Sequence, residues 1–159
     1  MMTVEERKEY FKRYYQENKE HCRKLHDDWI EKHKGDFVYF HINEDGKTLY
    51  IGSFYSRPLI ERQSFHMIGK SNLKINYYDY TNKYNFSEIL YKDFSGHNLN
   101  VDELHFIENY YIDKYKPKLN KKHNNNESYN NQFNYSKNEL IKIAENEELK
   151  IFNTDKYLN

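Results

Sequence analysis

From Thr3 to about His33 the chain has neither proline nor glycine, and acidic and basic residues interleave at helical spacing with Tyr10, Phe11, Tyr14, Leu25 and Trp29. That pattern predicts one or two helices. Gly35 and Asp36 break it, and two β-rich runs follow, "FVYFHI" and "KTLYIG", joined around "NEDG", where Asp45-Gly46 signals a hairpin turn. Pro58 suits a first helical turn and opens "PLIERQSFHMI", which Gly69 closes in the manner of a C′ residue. "LKINYYDY", Leu73 to Tyr80, alternates as a third strand would, while Phe86 to Phe94 reads as a short helix or an ordered loop. "NVDELHFIENYYIDKY" reads as a helix with Asn100 as N-cap, acids in its first turn and Pro117 as its stop. An asparagine-rich stretch, "NKKHNNNESYNNQFN", then reads as a linker or exposed loop. A helix from Lys137 to Glu148 and a short strand or tail, "LKIFN", follow it.

The hairpin has two unlike faces. With a two-residue turn at Asp45-Gly46, Ile42 opposes Leu49, His41 opposes Tyr50 and Tyr39 opposes Gly52. One face then carries Val38, Phe40, Ile42, Leu49 and Ile51, a core face; the other carries Tyr39, His41, Asn43, Thr48, Tyr50 and Gly52. Tyr39 and Tyr50 become diagonal neighbours able to reach one bound group, with Gly52 leaving room for it. A three-residue turn would break this parity.

Bulk numbers narrow the picture only a little. The 159 residues suffice for one domain and a small appendage. Twenty-five basic residues balance 25 acidic ones, so a basic surface for nucleic acid must be local. The lone Cys22 forms no internal disulfide, and no apolar run has the length of a signal peptide or membrane helix, which makes the reducing cytoplasm the expected compartment. Tyrosine, asparagine, lysine and isoleucine, all with A/T-rich codons, are abundant, so tyrosine richness alone does not argue for base stacking.

Charged residues at particular positions could join the tyrosines. Arg62 and His66 are four apart on the predicted helix and share a face with Leu59. An arginine fork matches phosphate oxygens, and a histidine can donate or move a proton; the plainer alternative is a solvated helix face. In the later helix Glu108 interrupts an apolar stripe of Val101, Leu104, Ile107, Tyr111 and Ile112. A carboxylate there must pair with a cation such as Arg62, the reading favoured on spacing, or hold a divalent metal. Asn120, after "YKPKL", could tie backbone groups together or be a plain turn residue. His21, Cys22, His26 and His33 lack the spacing of a zinc set, and "HNNN" at His123 reads as linker.

Taken together these positions resemble the GIY-YIG nuclease superfamily, in which a hairpin carrying "GIY" and "YIG" precedes a helix with arginine, a later helix with glutamate and a closing asparagine. Here "FVY" (Phe37 to Tyr39) stands for the first motif, with Phe37 in place of its glycine, and "YIG" (Tyr50 to Gly52) matches the second outright. "LIERQSFH" supplies Arg62 and His66, and "FIENYYIDKYKPKLN" supplies Glu108 and Asn120. Arg57, nearer to "YIG", is a rival for the arginine role, but it precedes the helix and has no histidine four residues on. The likeness covers roughly 36 to 121.

The resemblance implies an α+β domain, a three-stranded antiparallel sheet flanked by helices, that hydrolyses DNA phosphodiester bonds with Mg²⁺ or Mn²⁺; RNA stays open as a substrate. In that reading Glu108 anchors the metal, Arg62 neutralises charge on the phosphoryl group, Tyr50 orients water or phosphate, and Asn120 is a brace. Tyr39 takes the proton from water, helped by a cation or a relay through His41 or His66. His41, Gly52, Arg57, Lys116 and Lys118 fall to substrate binding, and paired cuts would call for a homodimer on DNA. The organisation expected is a helical extension over 1–34, the catalytic domain over 35–121, the linker over 122–136 and a C-terminal helix and tail over 137–159. A phage, mobile element or restriction system is the expected setting. The rivals are a non-catalytic DNA-binding or regulatory protein with this fold and a protein-interaction module built on the N-terminal helices.

Overall fold

A computed structural model describes residues 1–121 and 132–157 and divides the chain into two compact units, Met1–His33 and Lys34–Asn159. The first unit consists of α1 (Val4–Glu17) and α2 (Lys19–His33). Thr3 and Glu6 close a reciprocal capping box at the start of α1, satisfying two of the amides a helix leaves orphaned. Neither helix has a buried residue. Most of the asparagine-rich stretch, including the predicted linker's centre, lies outside the described residues.

The second unit is built on a four-stranded antiparallel sheet ordered β2-β1-β3-β4, from β1 (Lys34–Asn43), β2 (Thr48–Pro58), β3 (Phe86–Asp93) and β4 (Lys150–Ile151). Central β1 is covered on both faces, so it reads as a nearly continuous buried run. On one face Val38, Phe40, Ile42 and Ile51 pack with Leu104, Ile107 and Tyr111 of α5 (Val101–Tyr115) and Leu140 and Ala144 of α6 (Lys137–Asn146). On the other face lie α3 (Leu59–Met67) and α4 (Tyr77–Tyr84). Burying these apolar side chains supplies about 2 kcal/mol each before the entropy cost of ordering them.

The third strand is therefore not where alternation suggested. The stretch from Leu73 to Tyr80 is a loop leading into α4, because Asn76 caps that helix through the Asp79 amide and Asn85, in the left-handed region, ends it. The strand role passes to Phe86–Asp93, expected as helix or loop, which pairs with β1 along most of its length. A fourth, two-residue strand from "LKIFN" completes the sheet.

The hairpin turn also differs in detail. Asn43 and Lys47 bracket three loop residues, Glu44, Asp45 and Gly46, with Gly46 at φ 76°, and Ile42 pairs with Thr48 instead of Leu49. A bulge between His41 and Ile42 on the partner register then restores the parity, so His41 still faces Tyr50 and Tyr39 still faces Gly52. Leu49 consequently packs with Tyr80 and Phe86, away from the Val38 cluster.

The C-terminal helix is part of the core. Buried Glu103 accepts from the amides of Asn134 and Tyr135, which lead into α6, and Lys92 donates to Tyr111 Oη at 2.8 Å and to the Ala144 carbonyl at 2.9 Å. The acidic end of α6 is held within the fold: Glu145 pairs with Lys114, and Glu147 lies 2.8 Å from Nε2 of His97. Among the described residues no helix is long and apolar enough to cross a membrane.

Candidate functional site

β2 is an edge strand, and the candidate residues gather around it from both sides of the sheet. Tyr39, on central β1, is fully buried, with its hydroxyl 2.7 Å from Nε2 of His66 and accepting from Nε of Arg62 at 3.3 Å. Both partners come from α3, whose inward face presents Leu59, Gln63 and His66 at helical spacing. Pro58 closes β2 and sits at the N-cap of α3, one position before the expected first turn. Nδ1 of His66 lies 2.6 Å from Oγ of Ser71. Arg62 donates to the phenolic oxygen, and the His66 ring is held at both nitrogens, Nε2 by the Tyr39 hydroxyl and Nδ1 by Ser71.

Burial governs the protonation of this cluster. It pushes Tyr39 well above the usual tyrosine value, and the neighbouring Tyr50 and Glu108 add to the rise while Arg62 opposes it. Tyr50, half-buried, is also raised by burial and by Glu108, with Arg62 and hydrogen bonding from Tyr39 acting the other way. His66 is lowered to about 3 by burial, His41 and Arg62, so its imidazole is neutral at physiological pH. Burial alone would lower Arg62, but the facing tyrosines Tyr39 and Tyr50 outweigh it and hold the guanidinium protonated. The arginine also lies 5.9 Å above the Phe54 ring.

Glu108 approaches from the α5 face, where Ser53 donates to Oε2. The charge of Glu108 is felt by Tyr39 and Tyr50. Strand parity, carried two residues past Ile51, puts Ser53 on the core face, facing the helix whose apolar stripe Glu108 interrupts; a hydroxyl opposite a carboxylate was the available signal. Asn120 lies against the open edge of β2, its amide accepting from Ile51 N and donating to Ile51 O, both at 2.8 Å. It replaces the missing strand partner and pins the segment after α5 beside Tyr50.

Four candidates lie apart from this cluster or serve it differently. His41 is fully buried, its Nδ1 2.8 Å from Tyr80 Oη and its Nε2 2.8 Å from Gln63 Oε1, so it braces α3 and α4 and does not face a substrate. Arg57 forks onto Glu61, both donors on one carboxylate oxygen, in an exposed pair four residues apart. Lys116 is the left-handed C-cap of α5, and Lys118 lies 5.7 Å over the Tyr84 ring. Gln63, Ser71 and Tyr80, which hold the two histidines, carried no motif in the sequence, though Gln63 shares the helix face of Leu59 and His66.

Gly52 leaves room for Tyr39 itself and not for a ligand. A Cβ built there falls 2.5 Å from Cζ and 3.1 Å from Cε1 of Tyr39, and closer still to its hydroxyl oxygen. Gly52→Ala should therefore displace the Tyr39 ring from His66 and cost about 2 kcal/mol, seen as a fall of roughly 8 °C in Tm. Gly96→Ala, where a Cβ meets nothing within 4 Å, serves as the control, and equal melting of the two variants would contradict the packing argument.

Among the described residues no group of three or more His, Cys, Asp and Glu side chains is placed to hold a metal ion. Glu108 offers one half-buried carboxylate with Ser53 on one oxygen. Mg²⁺ keeps most of its water and binds through one or two carboxylates plus substrate phosphates, so this donor fits Mg²⁺ or Mn²⁺ and not a closed protein cage. No family model, no curated protein and no solved structure matches the chain.

Proposed function

We propose that the chain is a divalent-metal-dependent endonuclease that hydrolyses DNA phosphodiester bonds with a GIY-YIG-type site, in the cytoplasm of a bacterium or phage-infected cell. The observation that carries this reading is the convergence of Tyr39, Tyr50, Arg62, His66 and Glu108 across edge strand β2, with a protonated arginine and a neutral histidine on one buried phenol. Such a cluster combines a fixed positive charge for a phosphoryl group with a path for one proton.

Glu108 would hold Mg²⁺ or Mn²⁺, and the ion when bound supplies Lewis-acid stabilisation of the phosphoryl oxygens and leaving group. Arg62, fixed by Tyr39, neutralises the charge that grows on the phosphate. Tyr50, the more accessible tyrosine, orients the attacking water. A buried phenol with a raised pKa is a poor resting base, so Tyr39 acts as a relay: it accepts a proton from the side of Tyr50 as it delivers its own to Nε2 of His66. Protonation of His66 beside Arg62 becomes favourable as the substrate's negative charge enters.

Cleavage of supercoiled plasmid by the wild type, with Mg²⁺ and with EDTA, tests the reading, and single-stranded RNA belongs in the same assay. Cleavage is expected with Mg²⁺ and lost with EDTA, and Arg62→Ala should slow it about 100-fold. DNA binding with no cleavage of any substrate would instead favour a non-catalytic binding protein.

A further inference from the structure

A cleft of about 630 Å³ opens between the β1–β2 turn and the C-terminal ends of α4 and α5. Its walls carry Lys47, Lys83, Lys116 and Lys118 against one carboxylate, Asp45, in a chain whose formal net charge is +0. All four lysines are exposed. Lys83 has Asp79 3.9 Å away across one helical turn, a weak exposed pair.

Lysines near helix C-termini complement the helix dipole, and that accounts for Lys83 and Lys116. It does not account for Lys47, which comes from the hairpin, or Lys118, which comes from the segment beyond α5. Three elements thus deliver cations to one concavity. Two aromatic rings share its walls: Tyr84, with Lys118 above it, and Tyr115, which is exposed. The segment bearing Lys118 continues into Leu119 and Asn120, which bond to Leu49 and Ile51, so the cleft runs along the same edge strand as Tyr50.

Resting on the endonuclease reading above, we infer that this cleft is a second nucleic-acid subsite, taking the backbone phosphates of an unpaired stretch that continues from the cleaved bond. Lysines from separate elements contact successive phosphates, and Tyr84 and Tyr115 offer faces for bases. Cations combined with stacking rings mark single-strand binding, and a cleft of this volume has room for a nucleotide but not for a duplex.

The test is fluorescence anisotropy with labelled oligo(dT) of about 20 nucleotides and a duplex of equal length, without divalent ions, between about 50 and 300 mM salt. The wild type should bind the single strand more tightly. Lys83→Gln/Lys118→Gln should lose about tenfold in affinity, with a salt slope smaller by about 1.4. Tyr84→Leu/Tyr115→Leu should weaken single-strand binding with the slope unchanged, and thermal melting checks that each variant is folded. Wild-type affinity and slope in the lysine variant, or no binding by the wild type, overturns the inference. Plasmid cleavage, measured separately with Mg²⁺, keeps the two readings distinct: cleavage with cleft variants that bind normally removes the cleft alone. Cleft-dependent binding without cleavage removes the endonuclease.

Discussion

Glu108→Gln is expected to slow Mg²⁺-dependent DNA cleavage by about 10³-fold or more while leaving the fold and DNA binding intact. Glutamine has the same shape and its amide oxygen can still accept from Ser53, so the packing of α5 against β2 is preserved. What disappears is the negative charge felt by Tyr39 and Tyr50. Without it the hard-oxygen anchor for a divalent cation is gone. Ser53→Ala, by contrast, keeps the charge and removes only one orienting hydroxyl, so its effect should be on the order of tenfold. Plasmid-nicking rates for both variants beside the wild type, with melting curves as the folding control, decide the matter. A Glu108→Gln protein within tenfold of wild-type activity would remove the carboxylate from the proposed chemistry.

The parts of the site that could be read from the sequence are those that depend on local periodicity. Strand parity put Tyr39, His41, Tyr50 and Gly52 on one face, and helical spacing put Arg62 and His66 on another that meets it. The turn is one residue longer than Asp45-Gly46 suggests, yet His41 still pairs with Tyr50 because a bulge compensates for the extra loop residue. Whatever depends on long-range partners was out of reach. Leu73 to Tyr80 alternates like a strand, but the Asn76 cap and the left-handed Asn85 make its second half a helix. Phe86–Asp93 alternates poorly because, lying second from the edge with helices over both faces, it buries neighbours on either side. Nothing local to Gly52 reveals that the Tyr39 ring, and not a ligand, fills the space beside it.

The same long-range contacts give the fold an acid-sensitive centre. His41 is lowered to about 4 by burial, which its bond to Gln63 opposes, and His66 to about 3 by burial, His41 and Arg62. An unfolded histidine titrates near 6.5, so between about pH 6.5 and pH 4 the unfolded chain binds protons that the folded chain does not. Stability therefore rises with pH across that window: the contribution is fully present above pH 6.5 and is lost as the pH falls toward the folded-state values. At one pKa unit per 1.36 kcal/mol, the two rings together should cost on the order of 5 kcal/mol by pH 4.5, a large fraction of the 5–15 kcal/mol typical of a folded domain. Urea unfolding at pH 7.5 and 4.5 should show that loss. NMR of ring-labelled histidine should show the His41 and His66 rings still neutral near pH 5 in the folded protein. If every ring titrates near 6.5 with the fold intact, the buried pair is not held neutral. The relay from Tyr39 would then end on an ordinary imidazole, still mostly neutral at pH 7.5 and a stronger proton acceptor than the buried ring described here.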